Sequence, residues 1–448
     1  MGESLAARRA MPTRAKITNT DRSLAMIFLA RAIISVAVAG SGIANAAPTE
    51  NEAKCAMSAE MPERALEQCD RAIESGGLAG NRLAIAHYNR GVALRARNDN
   101  DRAIADYSQA IRLSPRFAWA FLARGNAWYA KGGLDKAMTD YDRAIQLDSR
   151  NPEAFHNRGT ALHSLGEDER AILDYRRAIE LDSGNPDILN GRGLALQALG
   201  DHHRAIEDFD AAIRARPRMA QAFNNRGISW RALGEIDRAI SDFDSAIQVN
   251  PRHAVALNNR GACWRSKGDN ERAQSDFNAA IAIDRRFGIA FYNRGILRYW
   301  QGNHAEAALD FAQAIQAPAG GYAAIWLYAA RARSGVDGTT ELAENARSLR
   351  SAAWPMPIVE FYLGRRTLQE LMAAAGATRL TRRTDFQCEA TFYAGQKMLS
   401  DGDGRGARKL LLNAKSLCPT DSVEYEAAIV ELSASVSLGI EAPQLRRP

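Results

Sequence analysis

Small and apolar positions recur every 34 residues over more than half of this 448-residue chain. Seven glycines mark the period: Gly91, Gly125, Gly159, Gly193, Gly227, Gly261 and Gly295. Twelve residues after each comes an alanine (Ala103 to Ala307), and four later a ring: Tyr107, Tyr141, Tyr175, Phe209, Phe243, Phe277 or Phe311. An alanine (Ala110 to Ala314) and an isoleucine (Ile111 to Ile315) complete one helical face, at the 0, 4, 7, 8 spacing of an amphipathic helix. A second glycine seven after the first (Gly132, Gly166, Gly200, Gly234, Gly268, Gly302), replaced by Asn98 in the first unit, ends a preceding helix in a left-handed cap. The pattern predicts seven helix–turn–helix hairpins over residues 84–317, in which small residues let two helices approach and the ring fills the space beside them.

The period, the small–aromatic–small series and the closing prolines Pro115, Pro217 and Pro251 resemble the tetratricopeptide repeat (TPR). That resemblance implies an all-α superhelical solenoid with helical caps, a fold that offers a long surface to a partner. No single hairpin buries its apolar face alone, so both ends need closing. Residues 47–83 read as an N-terminal cap: Ala65, Cys69 and Ala72 repeat the spacing in a lone second helix over 62–75, with Cys69 in the ring's place. The period breaks in 318–387, where Tyr322–Arg333, Thr339–Leu349 and Thr367–Ala375 read as helices around a run, Trp354 to Gly364, too proline-rich to start as one. It returns over 388–438: Gly395, Gly402, Ala407, Ala414 and Pro419 hold the same offsets, and Val423–Ser433 reads as a capping helix before a tail, 439–448.

Residues 1–46 have a basic start, an apolar stretch and Ala44-Asn45-Ala46 before Ala47, the pattern of a secretory signal peptide. Starting at Met26 would make the leader compact; the alternative is an uncleaved anchor, for which the Ala32–Ala39 core is short. The leader holds six of the 58 Lys/Arg and two of the 52 Asp/Glu, so the remainder carries 52 basic and 50 acidic residues, a net +2. The basic pI is therefore no nucleic-acid footprint. The expected location is periplasmic or secreted, with no lipid-attachment cysteine after the cleavage site and no stable membrane anchor once the leader is removed. Export permits disulfides. Cys55 and Cys69 bracket the N-terminal cap, Cys388 and Cys418 stand at neighbouring ends of the last hairpin, and Cys263 reads as a buried thiol. The alternative is five reduced thiols in a cytoplasmic protein.

An arginine precedes each period glycine (Arg90 to Arg294) and an aspartate precedes each ring (Asp106 to Asp310). Because the two recur together, seven internal Arg–Asp pairs explain them better than a bound polyanion. The inner face of such a solenoid comes from the first helix of each unit. Its expected partner-binding residues are Tyr88, Asn89 and Arg95; Trp119, Asn126 and Tyr129; His156 and Asn157; Asn190; Asn224, Asn225 and Arg231; Asn258, Asn259 and Arg265; and Tyr292, Asn293 and Tyr299. His163 and Gln197 share those positions. An asparagine amide both donates to and accepts from a peptide unit, so a row of them suits a client's backbone, with Tyr and Trp as anchors. The competing reading is that they satisfy local backbone groups.

His156 and His163, seven apart, lack the spacing of a metal pair, and the chain has no P-loop, dinucleotide fingerprint or nucleophile motif. The expectation is a non-enzymatic scaffold without metal or cofactor. Trp354–Gly364 (WPMPIVEFYLG), Thr367–Met372, Thr391–Gly395 with Gly402-Asp403, Val423–Ala427 with Glu431-Leu432, and Tyr322–Tyr328 resemble the NlpI family of envelope lipoproteins. That resemblance implies a periplasmic adaptor, often a homodimer, that docks cell-wall hydrolases and a processing protease. The chain departs from it in lacking the lipidation cysteine and in its longer array. Trp354–Gly364 reads either as a docking site or as a strap closing the solenoid. A binder of peptidoglycan or another envelope polymer is the alternative function.

Overall fold

The computed structural model describes residue 55 and residues 62–316, 320–348, 354–377, 383–419 and 422–437. The expected leader and tail lie outside them. The described residues hold twenty-two α-helices and no strand. They divide into two compact units, with the boundary between Pro217 and Arg218.

In the N-terminal unit the cap helix α1 (Pro62–Glu74) precedes four hairpins: α2 (Gly80–Ala96) with α3 (Asn100–Leu113), α4 (Ala118–Ala130) with α5 (Leu134–Leu147), α6 (Pro152–Leu165) with α7 (Asp168–Leu181), and α8 (Pro186–Ala198) with α9 (His202–Ala215). The C-terminal unit continues with α10 (Ala220–Ala232) and α11 (Ile236–Val249), α12 (Ala254–Ser266) and α13 (Asn270–Ile283), and α14 (Gly288–Trp300) and α15 (His304–Ala314). The ends of these helices follow local chemistry. Asp99, Asn151, Asn185, Asp201 and Asp269 accept backbone N–H groups of the first turn they cap. Pro152 and Pro186 sit in the first turn, where a missing N–H costs nothing. The turn glycines have φ near +80°, and Asn98 takes the same left-handed place at 65°.

The seven rings are at most 1% exposed and form the centre of each hairpin. Each burial contributes about 2 kcal/mol. The period glycine is required by that ring: a Cβ at Gly227 would lie 2.8 Å from Cε1 of Phe243.

Past residue 319 the chain folds as α16 (Gly320–Arg333), α17 (Thr339–Ser348), α18 (Met356–Tyr362) and α19 (Leu368–Gly376), then a last hairpin of α20 (Arg383–Ser400) and α21 (Gly404–Leu417), and finally α22 (Val423–Ser437). The proline-rich run does become helical: Trp354-Pro355 forms a turn and α18 starts at Met356, with Pro357 in its first turn, where proline is tolerated. Ile358, Val359 and Tyr362 are buried, the Tyr362 hydroxyl donates to the Tyr393 carbonyl at 2.9 Å, and Trp354 stacks on Phe386 with centroids 4.5 Å apart. Glu389 accepts from both the Trp354 indole and the Tyr322 hydroxyl at 2.6 Å. These contacts pack the run against the core of its own unit. Thr367 and Glu370 form a capping box at the start of α19.

Cys55 is bridged to Cys69 and Cys388 to Cys418. Neither bridge stands beside a ring: Cys69 itself occupies the ring's place at one end, and Leu411 occupies it in the hairpin at the other. Cys263 is free and buried, and burial pushes its thiol up to about 11, which keeps it protonated and unreactive.

Candidate functional site

The arginine ladder belongs to the frame. In all seven repeats the guanidinium grips the aspartate sixteen residues on through two parallel bonds, for example Arg158 Nε and Nη2 to Asp174 at 2.7 Å each, and Arg260 Nε and Nη2 to Asp276 at 2.8 and 2.6 Å. The remaining five forks are Arg90–Asp106, Arg124–Asp140, Arg192–Asp208, Arg226–Asp242 and Arg294–Asp310. The free end of the fork reaches back one unit, to Asp70 from Arg90, Ser108 from Arg124, Asp142 from Arg158, Asp244 from Arg260 and Asn278 from Arg294. Each arginine in these five thus ties three helices. Burial alone would raise the Asp106 carboxyl; the bonds from Arg90 and His87 hold it below its ordinary value. The fork raises Arg158 and Arg260 further above the ordinary arginine range, against the opposing effect of burial.

With the arginines assigned, the inner face is left to the amides and rings. In the N-terminal unit, Asn126 accepts from the Tyr141 hydroxyl and from Asn157 Nδ2, both at 2.9 Å, and the Tyr129 hydroxyl meets Ser164 Oγ at 2.8 Å. Asn89, Arg95, Trp119, Asn126, Tyr129, His156, Asn157, His163, Asn190 and Gln197 are half-buried. Tyr88 is different: it is buried between Tyr107 and Phe117, at 5.8 and 5.1 Å, and serves as core. His163 pairs with Asp168 at the start of α7 in its own hairpin. Burial pushes His156 down to about 4, so it is neutral at physiological pH and faces the Tyr175 ring.

One carboxyl here was not legible in the repeat. Glu153, beside Pro152, is lifted to about 7 by burial, against the lowering influence of Arg95 and a bond from Asn157. This carboxyl thus stands beside two of the expected partner-binding residues, Arg95 and Asn157. Its only sequence signal is that it starts the helix bearing His156 and Asn157.

In the C-terminal unit the asparagines form a ladder. Asn259 Nδ2 donates to Asn224 Oδ1 at 3.1 Å, and Asn293 Nδ2 donates to Asn258 Oδ1 at 2.9 Å, each across one repeat. Asn224, Asn258 and Asn259 are buried, while Asn225, Arg231 and Asn293 are half-buried. Each bonded amide keeps some of its four hydrogen-bonding capacities, now held in a fixed orientation. Tyr292 is buried edge-on to Phe311 and Tyr299 edge-on to Trp326, at 6.0 and 5.1 Å. Arg265 is buried over the Trp300 ring at 5.2 Å.

Arg265 and Tyr299 also touch something the repeat pattern does not contain. The last helix, α22, brings Glu426 Oε2 to 3.5 Å from Arg265 Nε and Glu431 Oε1 to the Tyr299 hydroxyl at 3.4 Å. The inner face of this unit is therefore met by the chain's own end.

Among the described residues no group of three or more His, Cys, Asp or Glu side chains could hold a metal ion. No helix among them is long and apolar enough to cross a membrane.

A family model described as TPR repeat matches residues 91–132, 125–166 and 159–200, and one described as Tetratricopeptide repeat matches 190–251, 231–286 and 265–324. No curated protein matches the chain. Solved structures that do match include a tetratricopeptide repeat protein from Parabacteroides merdae, at 23% identity over 52% of this chain and 91% of that one, with a TM-score of 0.45. YrrB, described as a TPR protein with an unusual peptide-binding site, matches at 28% identity over 43% and 97%, with a TM-score of 0.36. PilW, described as a type IV pilus biogenesis factor, matches at 17% identity over 45% and 94%, with a TM-score of 0.43. With family models covering residues 91–324 and a ring, a glycine and an Arg–Asp fork in every repeat, the chain belongs to the tetratricopeptide repeat family.

Proposed function

We propose that the chain is an exported, non-enzymatic scaffold that holds protein clients along the inner faces of its repeats. The observation that carries this reading is the division of labour between the two polar rows. The arginines are consumed by the frame, whereas Asn126, Asn157 and Tyr129 stay half-buried and pre-oriented by bonds between neighbouring repeats. Pre-orientation lowers the entropy cost of binding a peptide backbone. Two disulfides at the ends of the fold support an oxidising compartment, and with it the leader read at 1–46. The specific form we propose is a periplasmic adaptor of the NlpI kind, which brings cell-wall hydrolases to a processing protease.

The test is affinity capture from periplasmic extract with the chain from Ala47 onward, with clients identified by mass spectrometry. Asn126→Ala/Asn157→Ala should lose the clients while the chain stays folded by circular dichroism, with the melting temperature lowered by the loss of the Tyr141 hydroxyl's partner. Direct sedimentation of the purified chain with peptidoglycan, and no protein client captured, would replace this reading with a polymer-binding one.

A further inference from the structure

The face that α22 turns to its own unit buries two carboxylates. Glu424, Ala427, Ala428 and Glu431 stand at 0, 3, 4 and 7, one stripe of a helix, and all four are buried. Val423, Tyr425 and Leu432 of the same helix are partly buried against the core as well, as in any lid. This stripe buries two alanines between two carboxylates.

The carboxylates find a prepared set of donors. Glu431 Oε2 accepts from Arg333 Nη2 at 2.7 Å, and its Oε1 accepts from the Tyr299 hydroxyl at 3.4 Å. Glu424 Oε1 accepts from the Tyr393 hydroxyl at 3.4 Å. Glu426 Oε1 accepts from Ser266 Oγ at 3.0 Å, with Arg265 beside its other oxygen. These donors come from α12, α14, α16 and α20, residues far apart in the chain that converge on one strip. Burying a carboxylate is costly unless such partners already wait for it. The strip is thus shaped and charged for a negative helix. The Cys388–Cys418 bridge fixes the chain just ahead of α22, but no cross-link holds α22 itself.

We propose that this strip is a docking cleft for an acidic helix of a protein client, one with two carboxylates seven residues apart and small residues between them. In this scheme α22 is the built-in occupant that the client displaces. The inference rests on the inner-face scaffold reading and names the client chemistry for its C-terminal unit. Alanines between the carboxylates let the client backbone lie close to α20 and α21. A basic or bulky helix is rejected by Arg265 and Arg333 or by the lack of space. Occupation by α22 lowers the apparent affinity for the client by the fraction of time the cleft is closed.

The experiment uses the chain from Ala47 onward and a fluorescein-labelled synthetic peptide of sequence 423–437, followed by anisotropy. Glu424→Gln/Glu431→Gln should weaken the built-in occupant, and the variant should bind the peptide about tenfold more tightly than the parent. Glu426→Gln, a milder change, should give a gain of roughly threefold. A peptide with both matching glutamates replaced by glutamine should not bind, and adding Arg333→Ala should abolish the gain. The proposal falls if folded variants, checked by circular dichroism, show no gain, or if the glutamine peptide binds as well as the parent peptide. It also falls if the chain sediments as a dimer that the peptide splits, because the occupant is then a second copy. Clients still captured in an Asn126- and Asn157-dependent way while the peptide fails would leave the scaffold reading standing and remove only this one.

Discussion

The seven regular repeats and the last hairpin share their offsets but not their fastening. In a regular repeat the glycine meets a ring, and an Arg–Asp fork locks one helix to the next. In the last hairpin Gly395 meets Leu411, the fork positions are Ala394 and Leu410, and a disulfide joins Cys388 to Cys418. The N-terminal cap makes the same exchange, with Cys69 where a ring would stand. Where the ring and the fork are missing, a covalent link ties the chain instead. The second difference follows from the first. The stapled end delivers α22, which brings carboxylates to an inner face that the regular repeats line with amides.

Breaking the staples should have the largest effect. Reduction frees loops of 14 and 30 residues, with an expected loss of about 3 and a little under 4 kcal/mol of stability. Denaturant unfolding of Cys69→Ala and Cys418→Ala chains measures each end separately. If either variant unfolds at the parent's midpoint, the exchange of fork for disulfide is wrong.

Breaking a fork comes next. Arg158→Ala and Arg260→Ala each leave two aspartates without their cation, one of them nearly buried, and should each cost about 3 kcal/mol. The two losses should match, since the same geometry recurs in both units. A large inequality would mean that the forks are not interchangeable frame parts.

Glycine separates regular from terminal packing more finely. Gly227→Ala places a methyl 2.8 Å from Phe243 and should cost about 2 kcal/mol, whereas Gly395→Ala, 3.1 Å from the branched end of Leu411, should cost less than about 1. Thermal melts of the pair give the ranking.

The smallest effect is a pH dependence confined to the N-terminal inner face. Glu153 rises from 4.5 when unfolded to about 7 when folded, so the folded chain binds the extra proton. Its contribution is fully present below 4.5 and is lost as pH rises through about 7. Glu153→Gln should therefore leave the melting temperature unchanged near pH 4 and raise it at pH 8. A gain of equal size at both pH values would show that packing, not ionisation, governs this site.

The repeats were readable in the sequence because their chemistry is local and periodic. Gly193 and Phe209, or Arg192 and Asp208, lie sixteen residues apart and recur together, so pattern alone pairs them. The cysteine pairs were readable because they bracket single hairpins. The depth of the expected partner-binding residues was not readable. Asn126 and Asn259 were both among them, yet Asn259 is buried against Asn224, a contact set by helix stacking. The partners of α22 were not readable at all. Glu431 reaches Arg333 and Tyr299 across 98 and 132 residues, outside any period. The run Trp354–Gly364 starts as a turn, as its prolines suggested, and becomes helical from Met356, where Pro357 falls in the first turn of the helix.

The central claim is that the arginines hold the frame while the amides hold the client. It is tested most directly by the yield of periplasmic clients on three immobilised chains: parent, Arg158→Ala and Asn126→Ala/Asn157→Ala, each from Ala47 onward and quantified by mass spectrometry. The account predicts near-parental yield for the folded arginine variant and about a tenfold loss for the asparagine variant. The reverse order would place the ligand on the arginines and contradict it.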